Sequence, residues 1–431
     1  VTAPEVGLGW SCSSEEVALS ARDCSFGLAL VIVIAASCGD GNDPPGEAAA
    51  GTQSGLVAEA EQSQTSSNPA PSSSTTTAPQ ETPEDESLQI PWETHVLGED
   101  CMCADGSEYR IRTRIADPTK VVISMSGGGL CWDAATCDPE TGLAPRSLGP
   151  RMDPPANVDS GADSSEAAAE PEAQNEDSSG GGGINDFDNP ANPLRDWSFV
   201  SVPYCTADMF LGDKRTDYGD FVIEHRGFRN AKAVINHVVD NFESLETLLI
   251  TGSSAGGSAS PLLAGLAADR LGPDVEIMAF ADSVGVWGSL PPLISGWFDQ
   301  VWGTTNSVPD WSSTSAVNSA ADWDPARLFD YAVREHPSIR MGRFDFVDDA
   351  VLRSFADIYW PGTLEELFDA NEALAEAGGA ELNVYLAPGD NHVVLARNEM
   401  YSLESGGESF LDWFTSFLNG DDVSDIRCQN C

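Results

Sequence analysis

Leu248-Leu249-Ile250-Thr251-Gly252-Ser253-Ser254-Ala255-Gly256-Gly257 is the stretch that decides the fold class. The apolar run at its start has the texture of a buried strand. A helix-like pattern with Leu262, Leu263 and Leu266 follows the glycines. In that setting G-x-S-x-G reads as a nucleophile elbow, a strand-to-helix turn so tight that the residues flanking the serine must lack bulk. Gly252 and Gly256 meet that need, and Ser254 is the residue held exposed at the sheet edge.

Outward from the elbow, strand-like runs occur at Val121–Met125, Phe199–Val202, 275–280, near Ile339–Phe346 and at Leu382–Ala387. Between them, residues 229–242 place Ala233, Val234, Val238 and Phe242 near one helical face. Further helices are expected at 364–377 and 407–418. Strands alternating with helices predict an α/β-hydrolase-like fold, a mostly parallel central sheet flanked by helices. Its chemistry belongs in the loops at the carboxyl ends of the strands. The domain is expected to run from 89 to 431. The acidic, glycine-ending stretch at about 151–183 reads as a disordered insertion within it.

A serine hydroxyl is a poor nucleophile until a base takes its proton, so an elbow demands a histidine. Of His95, His225, His237, His336 and His392, only the last two follow Ser254, as the order Ser, acid, His requires. His392 sits in Pro388-Gly389-Asp390-Asn391-His392, a loop after the 382–387 strand and on the elbow's edge of the sheet. His336 precedes a strand and belongs to the opposite edge. The acid candidates are Asp282, Asp345, Asp348 and Asp349, with the later cluster favoured because it precedes the histidine strand. Donors for an oxyanion are expected from the backbone N–H of Ala255 and from the turn Ser126-Gly127-Gly128-Gly129.

The chain has 69 Asp and Glu against 21 Lys and Arg, a formal charge of -48, and only three lysines, Lys120, Lys214 and Lys232. Such a balance disfavours nucleic acid and anionic membrane surfaces as partners. It also suits a salty habitat. Phe26–Ala36 is an apolar run of eleven residues, too short to span a bilayer and suited to a signal-peptide core. Ala35-Ala36-Ser37-Cys38 resembles a bacterial lipobox, with Cys38 as the lipidation site. Simple signal cleavage near Ser37 is the alternative. Either implies export, to the cell envelope or the medium, with residues 1–38 as leader. Residues 39–88, rich in Gly, Ser, Thr, Pro, Ala and Glu, read as a flexible linker. Seven cysteines follow the linker, so disulfides are expected with at least one cysteine left over. The terminal Cys428-x-x-Cys431 has no second ligand pair and suits a disulfide or a free tail better than zinc.

Gly127-Gly128-Gly129-Leu130-Cys131-Trp132-Asp133, Pro203-Tyr204-Cys205-Thr206-Ala207-Asp208 and Gly252-Ser253-Ser254-Ala255-Gly256-Gly257 together resemble the pectin acetylesterase/Notum family of serine hydrolases. Cys103-Ala104-Asp105-Gly106, Asn192-Pro193, His225-Arg226-Gly227 and Ala281-Asp282-Ser283 agree, so the resemblance runs from about 95 to 418. It implies Ser254 as nucleophile, His392 as base and Asp348 as acid, with oxyanion donors at Gly128, Gly129 and Ala255. Asp282 matches a turn that supports the site. The implied reaction is hydrolysis of O-acyl esters through an acyl-enzyme, acetylated polysaccharide being the best-known substrate class, with neither cofactor nor metal and no protein partner. Lipid or polyester esters, or glycan binding without catalysis, are the alternatives. Gly129-Leu130 stand where some members carry a tryptophan, and the 151–183 insertion departs from the family pattern.

Overall fold

A computed structural model describes residues 90–143 and 181–428, except 289 and 324. The expected leader with Cys38, the linker, and all but the end of the 151–183 stretch lie outside the described residues.

The strands are β1 (Trp92–Val96), β2 (Arg110–Arg114), β3 (Asp117–Met125), β4 (Trp197–Val202), β5 (Lys214–Asp217), β6 (Val222–His225), β7 (Thr247–Ser253), β8 (Glu276–Asp282), β9 (Arg340–Phe346) and β10 (Leu382–Ala387). The helices are α1 (Gly227–Asn241), α2 (Ser260–Leu271), α3 (Pro292–Trp302), α4 (Pro325–Glu335), α5 (Ala350–Ala356), α6 (Leu364–Glu376) and α7 (Phe410–Asn419). Eight strands form one sheet in the order β1-β2-β4-β3-β7-β8-β9-β10, while β5 and β6 make a separate hairpin. From β4 to β10 the pairs are parallel. β1 and β2 add to one side antiparallel. Every strand and helix expected from the sequence is present within a few residues. β1 escaped notice because most of its residues are exposed and no apolar alternation marks it.

The sheet is covered on both faces, as parallel strands require. Successive side chains of a strand point to opposite faces. Leu248 and Ile250 of β7 therefore join one cluster, with Leu262 and Leu263 of α2 and Val234 and Val238 of α1. Leu249 joins the other. On that second face α7 lays Phe410, Trp413, Phe414 and Phe417 against Phe280, Phe344 and Tyr385 of β8, β9 and β10. Phe280 and Phe414 meet edge to face with centroids 4.9 Å apart. Each buried aromatic of this kind contributes roughly 1.5–3 kcal/mol through burial alone.

The register carries the functional consequence. Met125 pairs with Gly252, Ser253 with Asp282, and Phe346 with Ala387, so the carboxyl ends of β3, β7, β8, β9 and β10 finish along one edge. Phe414→Ala should lower stability by about 3–5 kcal/mol, the range for a fully buried phenylalanine. A denaturant midpoint shift measures it at unchanged slope, and a shift near zero would contradict α7 as the cover of this face.

Candidate active site

β7 does not run straight into a helix. Ser254–Ala259 first forms a 3-10 turn, and α2 begins at Ser260. Ser254 is half-buried and stands at φ 53°, in the left-handed region that a non-glycine residue enters only under constraint. The constraint is close packing. A Cβ on Gly256 would lie 2.4 Å from the carbonyl oxygen of Met125, and one on Gly127 would lie 2.8 Å from that of Ser253 and 3.0 Å from the Cβ of Ser254. Only glycine lets the β3 turn and the elbow approach so closely. The same contacts bring the glycine turn alongside Ser254. Gly128 and Gly129 follow directly, and Ala255 is buried in the first turn after the serine.

That turn is anchored. Ser126 N–H donates to the carbonyl of Val202 and Cys131 N–H to that of Ala207, at 3.0 and 3.2 Å. Trp302 Nε1 donates to the Cys131 carbonyl at 2.7 Å. Disulfides join Cys131 to Cys137 and Cys103 to Cys205. The second ties the Pro203–Asp208 segment to the start of the domain. Cys101 is free and buried, so the odd cysteine is accounted for. Cys428 is also disulfide-bonded, and Cys431 lies outside the described residues. Cys131, Cys137 and His225 cluster, but sulfurs already joined to each other are not thiolate ligands for a metal.

His392 lies in the loop after β10. Its Nδ1 is 2.7 Å from Oδ2 of Asp349. The expectation of Asp348 is therefore corrected. Asp348 is exposed, whereas Asp349 is fully buried. The reason is local. Asp349 is the N-cap of α5, and its Oδ1 accepts the N–H of Leu352 at 2.9 Å. Capping turns this side chain inward and leaves its neighbour facing solvent. An aspartate three residues before the buried leucine of a short helix was the available signal. The loops that carry Asp349 and His392 are also joined by backbone, with Asp348 N–H donating to Gly389 and Ala350 N–H to Asp390.

The other candidates have different duties. Asp345 is buried, 2.8 Å from Nε of Arg343, and accepts the N–H of Gly285 at 2.7 Å. Asp282, at the end of β8, is fully buried and accepts N–H groups from Val394 and Leu395 at 2.9–3.1 Å. Burial pushes its carboxyl up to about 6, although those donors and His392 pull it back. His336 pairs with Asp269 at 2.7 Å, ahead of β9 and at the opposite sheet edge. His225 is buried between the Thr206 carbonyl and the Tyr218 hydroxyl, and burial lowers its pKa to about 4.

The family model for pectinacetylesterase matches residues 92–289. These residues are a pectinacetylesterase-family domain. The match spans the glycine turn, the Pro-Tyr-Cys segment and the elbow, and it ends before Asp349 and His392. Among solved structures, the Wnt deacylase Notum from Drosophila superposes with a TM-score of 0.56 at 15% identity, covering 78% of this chain and 96% of that one. The likeness in fold covers more of the chain than the family match does. No curated protein matches the chain significantly.

Beyond the glycine turn of this pectinacetylesterase-family domain lies a small, largely apolar cleft. Its wall starts at Leu130, next to Gly129, and includes Trp132, Trp287, Leu290, Phe298 and Phe355. The exposed Trp297 and Ile358 line it as well. No helix among the described residues is long and apolar enough to cross a membrane.

Asn caps helices as well as Asp does, so Asp349→Asn removes the charge beside His392 while keeping the cap. It should lower ester turnover by about 10³–10⁴, the scale seen when a triad acid is neutralised elsewhere. Asp348→Asn should stay within about twofold, the ordinary result for an exposed side chain away from the reacting groups. The reverse pattern in kcat/KM would restore Asp348.

Proposed function

We propose that this chain is a serine esterase that hydrolyses O-acyl esters through an acyl-enzyme. Ser254 Oγ attacks the ester carbonyl carbon while His392 accepts its proton. Asp349 holds the imidazole tautomer and stabilises the imidazolium without taking the proton itself. The N–H of Ala255, with those of Gly128 and Gly129, meets the negative charge that develops on the carbonyl oxygen. The carbon–oxygen bond of the ester breaks, and the alcohol leaves with the proton from His392. A water then gives its proton to His392, its hydroxide attacks the acyl carbon, and the acid departs as Ser254 regains a proton. This sequence calls on neither metal nor cofactor.

The observation that carries the reading is the left-handed Ser254 in its glycine packing, at the sheet edge that also bears the Asp349–His392 pair. The family's name supports acetyl esters of polysaccharide as substrate. The charge balance supports an uncharged alcohol portion over a polyanionic one, because 69 acidic residues against 21 basic ones repel polyanions. A second reading, acyl chains longer than acetyl, is favoured by the aromatic cleft that begins at Leu130. The disulfides suit an oxidising compartment and so support export.

A fluorophosphonate probe should label the wild type and leave Ser254→Ala unlabelled. Equal labelling of both would overturn the assignment. Hydrolysis of acetyl, butyryl and longer acyl p-nitrophenyl esters then separates the two readings. A kcat/KM that peaks at acetyl supports the first, and one that rises with chain length supports the cleft as an acyl pocket.

A further inference from the structure

Asp282 lies outside the reacting groups, yet it touches both sides of the site. We propose that Asp282, with Ser283, is the positioning residue that locks the base loop to the nucleophile strand. The role rests on the esterase reading given above.

The contacts are specific. Three consecutive backbone N–H groups directly after His392 end on these two side chains. Val393 N–H donates to Ser283 Oγ at 2.9 Å. Val394 N–H reaches both carboxylate oxygens of Asp282 at 3.0 and 3.1 Å, and Leu395 N–H reaches Oδ2 at 2.9 Å. Ser283 Oγ in turn lies 3.3 Å from Asp282 Oδ1. From the other side, Ser253 Oγ donates to Asp282 Oδ2 at 3.3 Å. Ser253 is the residue before the nucleophile and pairs with Asp282 in the β7–β8 register. One carboxylate therefore spans the last residue of β7, just before Ser254, and the segment just after His392.

Burial and backbone geometry show how firm the grip is. Asp282, Ser283, Val393 and Val394 are fully or nearly fully buried. Val393 stands at φ 57° and Ser283 at φ 59°. A β-branched residue holds a left-handed backbone only where its surroundings over-determine it. Here the bond from Val393 N–H to Ser283 supplies that constraint. Asp349 fixes the orientation of the imidazole ring from Nδ1, whereas Asp282 fixes the backbone from which the ring projects. Misplacing a catalytic group by about 1 Å costs on the order of 10² in rate, so the loop's anchor controls turnover without touching substrate.

The test uses the full chain and a short-acyl p-nitrophenyl ester, with rates normalised to the sites labelled by a fluorophosphonate at end point. Asp282→Asn cannot accept all the donors it faces. It should lower kcat per labelled site by about 10–100-fold, leave KM within about twofold, and slow labelling by a similar factor. Ser283→Ala, which keeps the carboxylate, should give a smaller loss in the same direction. It carries the test if Asp282→Asn does not fold. A purely structural role predicts fewer labelled sites but a wild-type kcat at each, and that result would overturn the proposal. So would a loss confined to KM. If the wild type neither hydrolyses the ester nor labels, the esterase reading itself fails. If it does both and the two variants match it per site, the positioning role alone fails.

Discussion

A serine held at φ 53° is the constraint on which the rest of this edge depends. A non-glycine residue in that region costs of order 1–3 kcal/mol and persists only where the surroundings exclude relaxation. The exclusion comes from both sides. β7 ends in register with β3, so the backbone at Gly127 presses on Ser253 and Ser254 while Gly256 presses on the carbonyls of Met125 and Ser126. The glycine turn is in turn tied through Cys131 to Ala207 and Trp302, and the Ala207 segment is tied by disulfide to Cys103. A strained serine at the centre is thus supported by contacts that reach far along the chain.

Much of this was legible in the sequence because strongly patterned segments make the scaffold. The runs at 121–125, 247–251 and 382–387 are apolar strands with turn residues after them, and parallel pairing places their carboxyl ends on one edge. Ser254 and His392 could be chosen from that logic alone. The carboxylate that meets His392 could not, since Asp348 and Asp349 are adjacent and a one-residue step decides which faces inward. That step is set by helix capping at α5, a local hydrogen bond to Leu352. The two antiparallel strands at the far side were also illegible. β1 is largely exposed, so its sequence carries no apolar period. The grip of Asp282 on residues 394 and 395 joins positions more than a hundred residues apart, and no sequence period reports such a contact.

An acidic chain meets a specific need at this edge. Loops leaving the carboxyl ends of parallel strands lead into helix starts and tight turns, which expose backbone N–H groups with no partner of their own. Aspartates take up those donors. Asp349 caps α5, Asp282 receives the 394–395 backbone, Asp345 receives Gly285, and Asp208 receives Gly227 at the start of α1 together with Phe210. Each is fully buried, so removing one strands donors as well as deleting an acceptor, which costs more than a solvated hydrogen bond.

The same burial couples stability to pH in two opposing ways. Asp208 and Asp282 are pushed up to about 6 by desolvation, so between about 4 and 6 these two sites hold more proton in the folded chain than in the unfolded one. Their contribution is fully present below the unfolded carboxylate range and is lost as pH rises through about 6. His225 runs the other way. Desolvation lowers it to about 4, so the unfolded chain takes the proton first as pH falls below 6.5. Its contribution is present above 6.5 and is lost as pH falls through about 4. Within the same window the buried aspartates favour the acidified fold and the buried histidine opposes it. These buried groups therefore shift acid stability in opposite directions, while the excess of carboxylates favours solubility and repels polyanions.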